Sequence, residues 1–181
     1  MEEKEIIKKL VKVNKEYFNI LVDNVKKRLY VISFSRLGNK ADAEDAVQET
    51  LFEVYKNISK LKEYDKFNSW ITKILINKCN TLFNKSKNDI SIDSNDLDLY
   101  YYNPNNITNN IDLIDDKLDF FSLLKFLEIE DRTLLAMFYS DEYSSKEISS
   151  ILNINESTIR SKIKRAREKL KNILERGEQC G

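Results

Sequence analysis

Apolar residues recur every three or four positions along most of the chain, the spacing of amphipathic helices. Phe18, Leu21, Val22, Val25, Leu29 and Ile32 form the first stripe. Gly38-Asn39 interrupts it, and a second helix is predicted from about Ala41, burying Ala43, Val47, Leu51, Val54, Ile58 and Leu61. Asn68 or Ser69 is suited to cap a third, which buries Trp70, Ile71, Ile74, Leu75 and Leu82. Leu123, Leu124, Leu127, Leu134, Leu135 and Phe138 supply a further core after a polar interval. Strand-rich folds need many turn residues. This chain has 3 Gly and 1 Pro, which points to an all-α fold.

The pattern divides the chain into two small helical domains joined by a flexible acidic linker. The first spans residues 1–87, the linker 88–119 and the second domain 120–181. The linker is rich in Asn, Asp and Ser, holds Pro104, and sets eight Asp against the single Lys117, a composition that favours solvated chain. Its Tyr100, Tyr101, Tyr102, Ile111, Leu113 and Ile114 are apolar enough to dock elsewhere.

The sharpest local pattern runs from Ser144 to Leu170. Ser144 or Ser145 caps a short helix that buries Ile148, Ile151 and Leu152. Asn153-Ile154-Asn155 then turns the chain, with Asn153 at a left-handed position that Asn tolerates well. Asn155 caps the next helix, with Glu156 in its first turn and Ile159, Ile163, Ala166 and Leu170 buried. Two short helices joined by a three-residue turn form a helix-turn-helix. The second helix carries Arg160, Lys162, Lys164, Arg165, Arg167, Lys169 and Lys171, with Glu168 as the one acid among them. Arg160, Ser161, Lys164 and Arg165 share one side, where Arg is suited to guanine and Lys to phosphate. A merely solvated basic face is the alternative, but this charge lies on the element such a motif inserts into duplex DNA.

Charge qualifies that reading. Lys+Arg and Asp+Glu are both 30, so the net charge is zero. Affinity for duplex DNA comes largely from neutralised phosphates, so the chain is expected to bind DNA poorly unless a partner assists. There is no His, which removes His-based metal sites and triads. Cys79 and Cys180, far apart in sequence, fit a reducing cytoplasm better than a disulfide framework. No segment approaches the ~20 apolar residues of a membrane helix, and Met1 to Lys12 lacks a signal-peptide core.

Two other faces invite function. The run from Asp42 to Glu49 places Asp45, Gln48, Glu49 and Phe52 on the side opposite the apolar stripe. Acids alone suit a solvated helix start, but an exposed aromatic among them fits docking to a basic protein. A metal-dependent nucleic-acid enzyme using Asp42, Glu44, Asp45 and Glu49 is a competing reading, weakened because the carboxylates share one element. The third helix presents Lys73, Asn77, Asn80, Thr81 and Asn84. These suit polar recognition of a nucleic-acid strand, although Asn is abundant throughout. Tyr64, Phe67 and Trp70 are candidates for base stacking, with Trp70 on the apolar stripe.

The runs DAEDAVQETLFEVY (Asp42 to Tyr55), FNSWITKILINKC (Phe67 to Cys79) and YSSKEISSILNINESTIRSKIKRAREKL (Tyr143 to Leu170) together resemble the extracytoplasmic-function sigma factors of bacteria. The resemblance covers nearly the whole chain outside the linker and tail. It implies an initiation subunit of RNA polymerase, with no catalytic site and no cofactor. Asp45, Gln48, Glu49 and Phe52 would dock on a clamp helix of core RNA polymerase. The loop Leu61–Asn68 and Lys73, Asn77, Asn80, Thr81 and Asn84 would engage the −10 promoter strand and capture an unstacked base. Ser157, Thr158, Arg160, Ser161, Lys164, Arg165 and Arg167 would read the −35 element. The linker would thread along the polymerase near the RNA exit path. An anti-sigma protein, often membrane-bound, is an implied partner.

Four positions depart from the family pattern. Thr81 replaces an acid and Asn84 a base, which alters the −10 contacts. Asn153 stands for Gly in the turn, and Leu127-Glu128 stands for Leu-Pro before Arg132. The remaining alternative is a stand-alone dimeric helix-turn-helix regulator, which would read a palindrome where a sigma factor reads two unlike elements.

Overall fold

Local signals start and stop most of the helices. The computed structural model describes residues 5, 7, 16–89, 124, 126–140 and 143–178, and among these the regular structure is helical. Linker residues 90–119, including its Tyr and Ile/Leu clusters, lie outside the described residues, as do Leu123 and Cys180. Helix α1 spans Glu16–Leu37. Gly38 ends it at φ 75, a left-handed conformation that costs glycine nothing sterically, and donates its N–H to the Phe34 carbonyl at 2.8 Å. Helix α2, Lys40–Asn57, starts one residue before the expected Ala41 because Asn39 caps it, accepting the Asp42 N–H at 2.9 Å.

Helix α3 runs Phe67–Asp89. The sequence places its start at an Asn68 or Ser69 cap. In the structure a 3-10 turn, Tyr64–Lys66, feeds directly into Phe67, and the Asn68 side chain instead accepts from Arg28 on α1. Helix α4 spans Ile129–Ser140, α5 Ser145–Leu152 and α6 Glu156–Glu178. Among the described residues no helix is long and apolar enough to cross a membrane.

One continuous apolar core runs through all six helices. Leu21, Val25, Leu29 and Ile32 of α1 are fully buried, whereas Phe18 and Val22 are half-buried. Ala43, Val47, Val54 and Ile58 enter the core as the spacing predicts, joined by Ala46 and Thr50. Ile71 and Leu75 do the same from α3, joined by Cys79, while Trp70, Ile74 and Leu82, also expected in the core, sit at its margin.

Helix α4 is the least expected element. Asp131, Arg132, Thr133, Leu134, Leu135, Ala136 and Met137 are all buried, so this stretch of the helix is covered around its circumference, while Glu130 before it is exposed. It packs against α1 on one side and α6 on another. Helix α5 in turn packs against α3.

Candidate nucleic-acid interface

The turn between α5 and α6 is built by short-range hydrogen bonds. Ser144 caps α5 in a reciprocal box: the Glu147 N–H donates to Ser144 Oγ at 3.2 Å, and the Ser144 N–H donates to Glu147 Oε2 at 2.9 Å. Asn153 closes α5 at φ 56, ψ 42, the left-handed conformation expected of it. The N–H of Ile154 returns to the Ser149 carbonyl at 3.2 Å. Asn155 Oδ1 then accepts the Ser157 N–H at 2.9 Å and the Ser157 hydroxyl at 2.8 Å, satisfying the start of α6.

With that start fixed, the register of α6 sorts its basic residues into two sets. Ile159, Ile163, Ala166 and Leu170 are buried as expected. Lys162 and Lys169 lie beside that stripe and pair with acids around α4. Lys162 meets Glu130, and the Lys169 ammonium lies 2.7 Å from Asp131 Oδ2 and 3.8 Å from Glu128. The hydrogen bond to Asp131 raises the Lys169 pKa above its usual value. The opposite side exposes Thr158, Arg160, Ser161, Lys164, Arg165 and Arg167. Arg160 bonds Glu156 one turn back, and Ser161 donates to the Ser157 carbonyl at 2.9 Å. Helix propensity and i,i+4 pairing therefore hold an outward cationic face on a rigid rod.

A second surface lies on α2. Asp45, Gln48, Glu49 and Phe52 are all exposed, as the sequence predicts. Phe52 is 60% exposed, unusual for so large an apolar ring, and the Lys56 ammonium sits 4.0 Å from its centroid. Glu49 reaches Lys78 on α3 at 3.3 Å. Asp42 belongs to the helix start, where it accepts from the Asn39 amide at 2.7 Å. Among the described residues no three carboxylates converge as a metal cage requires.

The third surface is the outer stripe of α3. Lys73, Asn77, Thr81 and Asn84 are exposed along it. Asn80 differs: its Oδ1 accepts from Arg36 Nε at 3.0 Å and Arg36 Nη2 at 2.6 Å, which turns it toward α1. Burial lowers the Arg36 pKa, and the nearby Cys79 and Glu130 oppose that shift. Beside the stripe opens a cavity of about 590 Å³, whose wall includes Lys62, Lys66, Trp70 and Lys73 together with the acids Glu53 and Glu63. Phe67, a stacking candidate by sequence, is buried in the core and unavailable to a base. Tyr64 is half-buried at the same loop.

Residues 21–88 match the model of Sigma-70 region 2, and residues 120–170 match that of Sigma-70 region 4. The chain is 31% identical to the ECF RNA polymerase sigma factor SigW of Bacillus subtilis, over 94% of its own length and 96% of that protein's. It belongs to the extracytoplasmic-function family of RNA polymerase sigma factors. Two solved structures share the fold. CnrH, solved with the cytosolic domain of CnrY, has a TM-score of 0.66 at 19% identity over 96% of this chain and 97% of that one. RpoE of Bartonella quintana, solved with the anti-sigma factor NepR, gives 0.66 at 20% over 87% and 96%. As a sigma factor the chain acts in transcription initiation.

Four residues of this sigma factor that position its faces carry no signal in the sequence. Arg28 and Arg36 reach from α1 to Asn68 and Asn80. Tyr143 and Thr72 join hydroxyls 71 positions apart. Nothing local to Arg28 or Arg36 marks them, and only the fold supplies their acceptors.

Proposed function

We propose that this sigma factor docks on core RNA polymerase through Asp45, Gln48, Glu49 and Phe52 and reads two promoter elements with separate modules. Residues 1–87 form the module for polymerase and the −10 element, residues 88–119 the linker, and residues 120–181 the module for the −35 element. Ser157, Thr158, Arg160, Ser161, Lys164, Arg165 and Arg167 contact the −35 duplex. Lys73, Asn77, Asn80, Thr81 and Asn84 engage the −10 strand during melting, with an unstacked base entering beside Lys62, Lys66 and Trp70. The chain supplies no catalytic group or cofactor; the polymerase performs the chemistry. It works in the cytoplasm, and an anti-sigma factor holds it inactive, a partner class present with the RpoE to which its fold is similar.

The observation that carries this reading is the pairing of an outward cationic face on α6 with a separate acidic and aromatic face on α2. A dimeric DNA binder would use the second only to meet its own copy, and like charges facing each other disfavour that, whereas a basic partner suits it. Run-off transcription on the promoter region of the chain's own operon, with core polymerase from the same organism, tests it. A discrete start that requires both proteins is the expected result. If core polymerase fails to capture the chain in a pull-down, the dimeric regulator becomes the better reading.

A further inference from the structure

The start of α6 carries an ion pair that its capping does not use. Asn155 Oδ1 already accepts the N–H and the hydroxyl of Ser157, and Ser161 donates its hydroxyl proton to the Ser157 carbonyl. Glu156 is left to one partner: its Oε1 accepts from Arg160 Nε at 3.1 Å and from Arg160 Nη2 at 2.5 Å. The Arg160 side chain is 70% exposed and that of Glu156 36%. An exposed pair of this kind adds little to stability, so its consequence lies in where it leaves the guanidinium.

A guanidinium presents its N–H groups in a rigid planar fork. Glu156 takes the side formed by Nε and Nη2. The end formed by Nη1 and Nη2 keeps its parallel N–H groups, the donors that match O6 and N7 of guanine in the major groove. Arg160 stands one turn from the start of α6, in the part of a recognition helix that meets base edges. Neighbouring cations are held less firmly. Lys164 lies 3.9 Å from Glu168, and Arg165 Nε reaches the Ser161 carbonyl at 3.4 Å.

We propose that Glu156 is a positioning residue for base reading, holding Arg160 end-on toward a guanine of the −35 element and exchanging affinity for discrimination. The proposal rests on the sigma-factor reading above. A free Arg turns to a phosphate when the base is wrong, which rescues binding to mismatched sites; a held one does not. Holding the side chain beforehand also removes part of the ordering cost of the correct contact. The same carboxylate cancels a cationic charge on the face, and so weakens attraction to every duplex alike.

Selection from a pool of promoter duplexes tests this. The duplexes come from the chain's own operon, randomised upstream of the transcription start, and the full chain with core polymerase selects among them over a range of salt. Wild type should prefer guanine at one position by about tenfold or more, and Arg160→Ala should erase that preference. Glu156→Ala should cut it about three- to tenfold. Its binding to the unselected pool should rise, and the dependence on log salt should steepen by up to about one. A loosened helix start would instead weaken all binding and flatten that slope. Glu156→Gln keeps an acceptor oxygen without the charge, so it should share the steeper slope yet retain part of the guanine preference.

An unchanged guanine preference in Glu156→Ala would overturn the proposal. So would its survival in Arg160→Ala, or weaker binding of Glu156→Ala to the whole pool. Capture by core polymerase is read separately, in a pull-down. A captured chain with no guanine position that depends on Arg160 refutes this inference and leaves the sigma reading standing. A chain that polymerase does not capture refutes the sigma reading, and the selection is then run on the full chain alone at low salt. Guanine selected there through Arg160 and Glu156 would keep both residues in these roles, and selection of no duplex would remove them.

Discussion

Arg36 on α1 donates from both Nε and Nη2 to one atom, Oδ1 of Asn80 on α3, at 3.0 and 2.6 Å. Two donors of one guanidinium converging on a single amide oxygen hold that oxygen against α1. Asn80 is thereby both a candidate DNA contact and a tie between two helices, while Asn77, three residues earlier, is exposed.

These two Asn residues should respond differently to truncation. Asn80→Ala leaves a half-buried guanidinium without that acceptor and should cost about 1–3 kcal/mol in urea unfolding. Asn77→Ala should fall within about 0.5 kcal/mol of wild type, as surface changes usually do. Equal losses at the two positions would show that the Arg36 contact adds no stability.

The turn offers a backbone test. Asn153 sits at φ 56, where a β-carbon is crowded. Asn153→Ala should destabilise by about 1 kcal/mol, because Ala tolerates the left-handed region poorly. Asn153→Gly should differ little from wild type, its conformational freedom offset by greater unfolded-state entropy. The two melting temperatures, compared side by side, decide it.

The basic residues of α6 should divide by the side they occupy. Lys169→Met removes the partner of the buried Asp131 and should lower stability, by about 1 kcal/mol because the ammonium is half-exposed. Arg165→Ala should leave stability unchanged but weaken −35 duplex binding by the holoenzyme about tenfold or more. Conversely, Phe52→Ala or Asp45→Lys should reduce capture by core polymerase about tenfold with the fold intact. If Arg165→Ala abolishes polymerase capture as well, the assignment of faces is wrong.

Cys79 gives a pH signature. Burial raises its thiol pKa from 9.0 to about 12, so the folded chain holds that proton where the unfolded chain has lost it. The contribution is complete below pH ~9 and declines as pH rises from there toward 12, by at most about 1.4 kcal/mol per pH unit. Cys79→Ala should flatten the alkaline fall in stability relative to wild type, while lowering stability near neutrality through the cavity it leaves. Parallel pH profiles for the two chains would refute the assignment.

Much of this molecule is decided within one or two helical turns. Ser144 with Glu147, the left-handed Asn153 and the Asn155 cap depend on residues two to five positions apart, so the helix-turn-helix was legible in the sequence. The exposed face of Asp45, Gln48, Glu49 and Phe52 follows from helical period alone. The partners of Arg36, Tyr143 and Lys169 stand 44, 71 and 38 positions away. Such pairs carry no periodic signature, because nothing local requires a base or a tyrosine to find that particular acceptor. The same limit hid the burial of Asp131 and Arg132 on α4, since Asp131 pairs with Lys169 of α6 and α1 packs against the helix as well. It also hid the division of the α6 bases, since Lys162 and Lys169 differ from Arg165 only by what lies opposite. Local chemistry set the helices and their outward faces, while long-range packing decided which polar groups are ties within the protein and which are left for a partner.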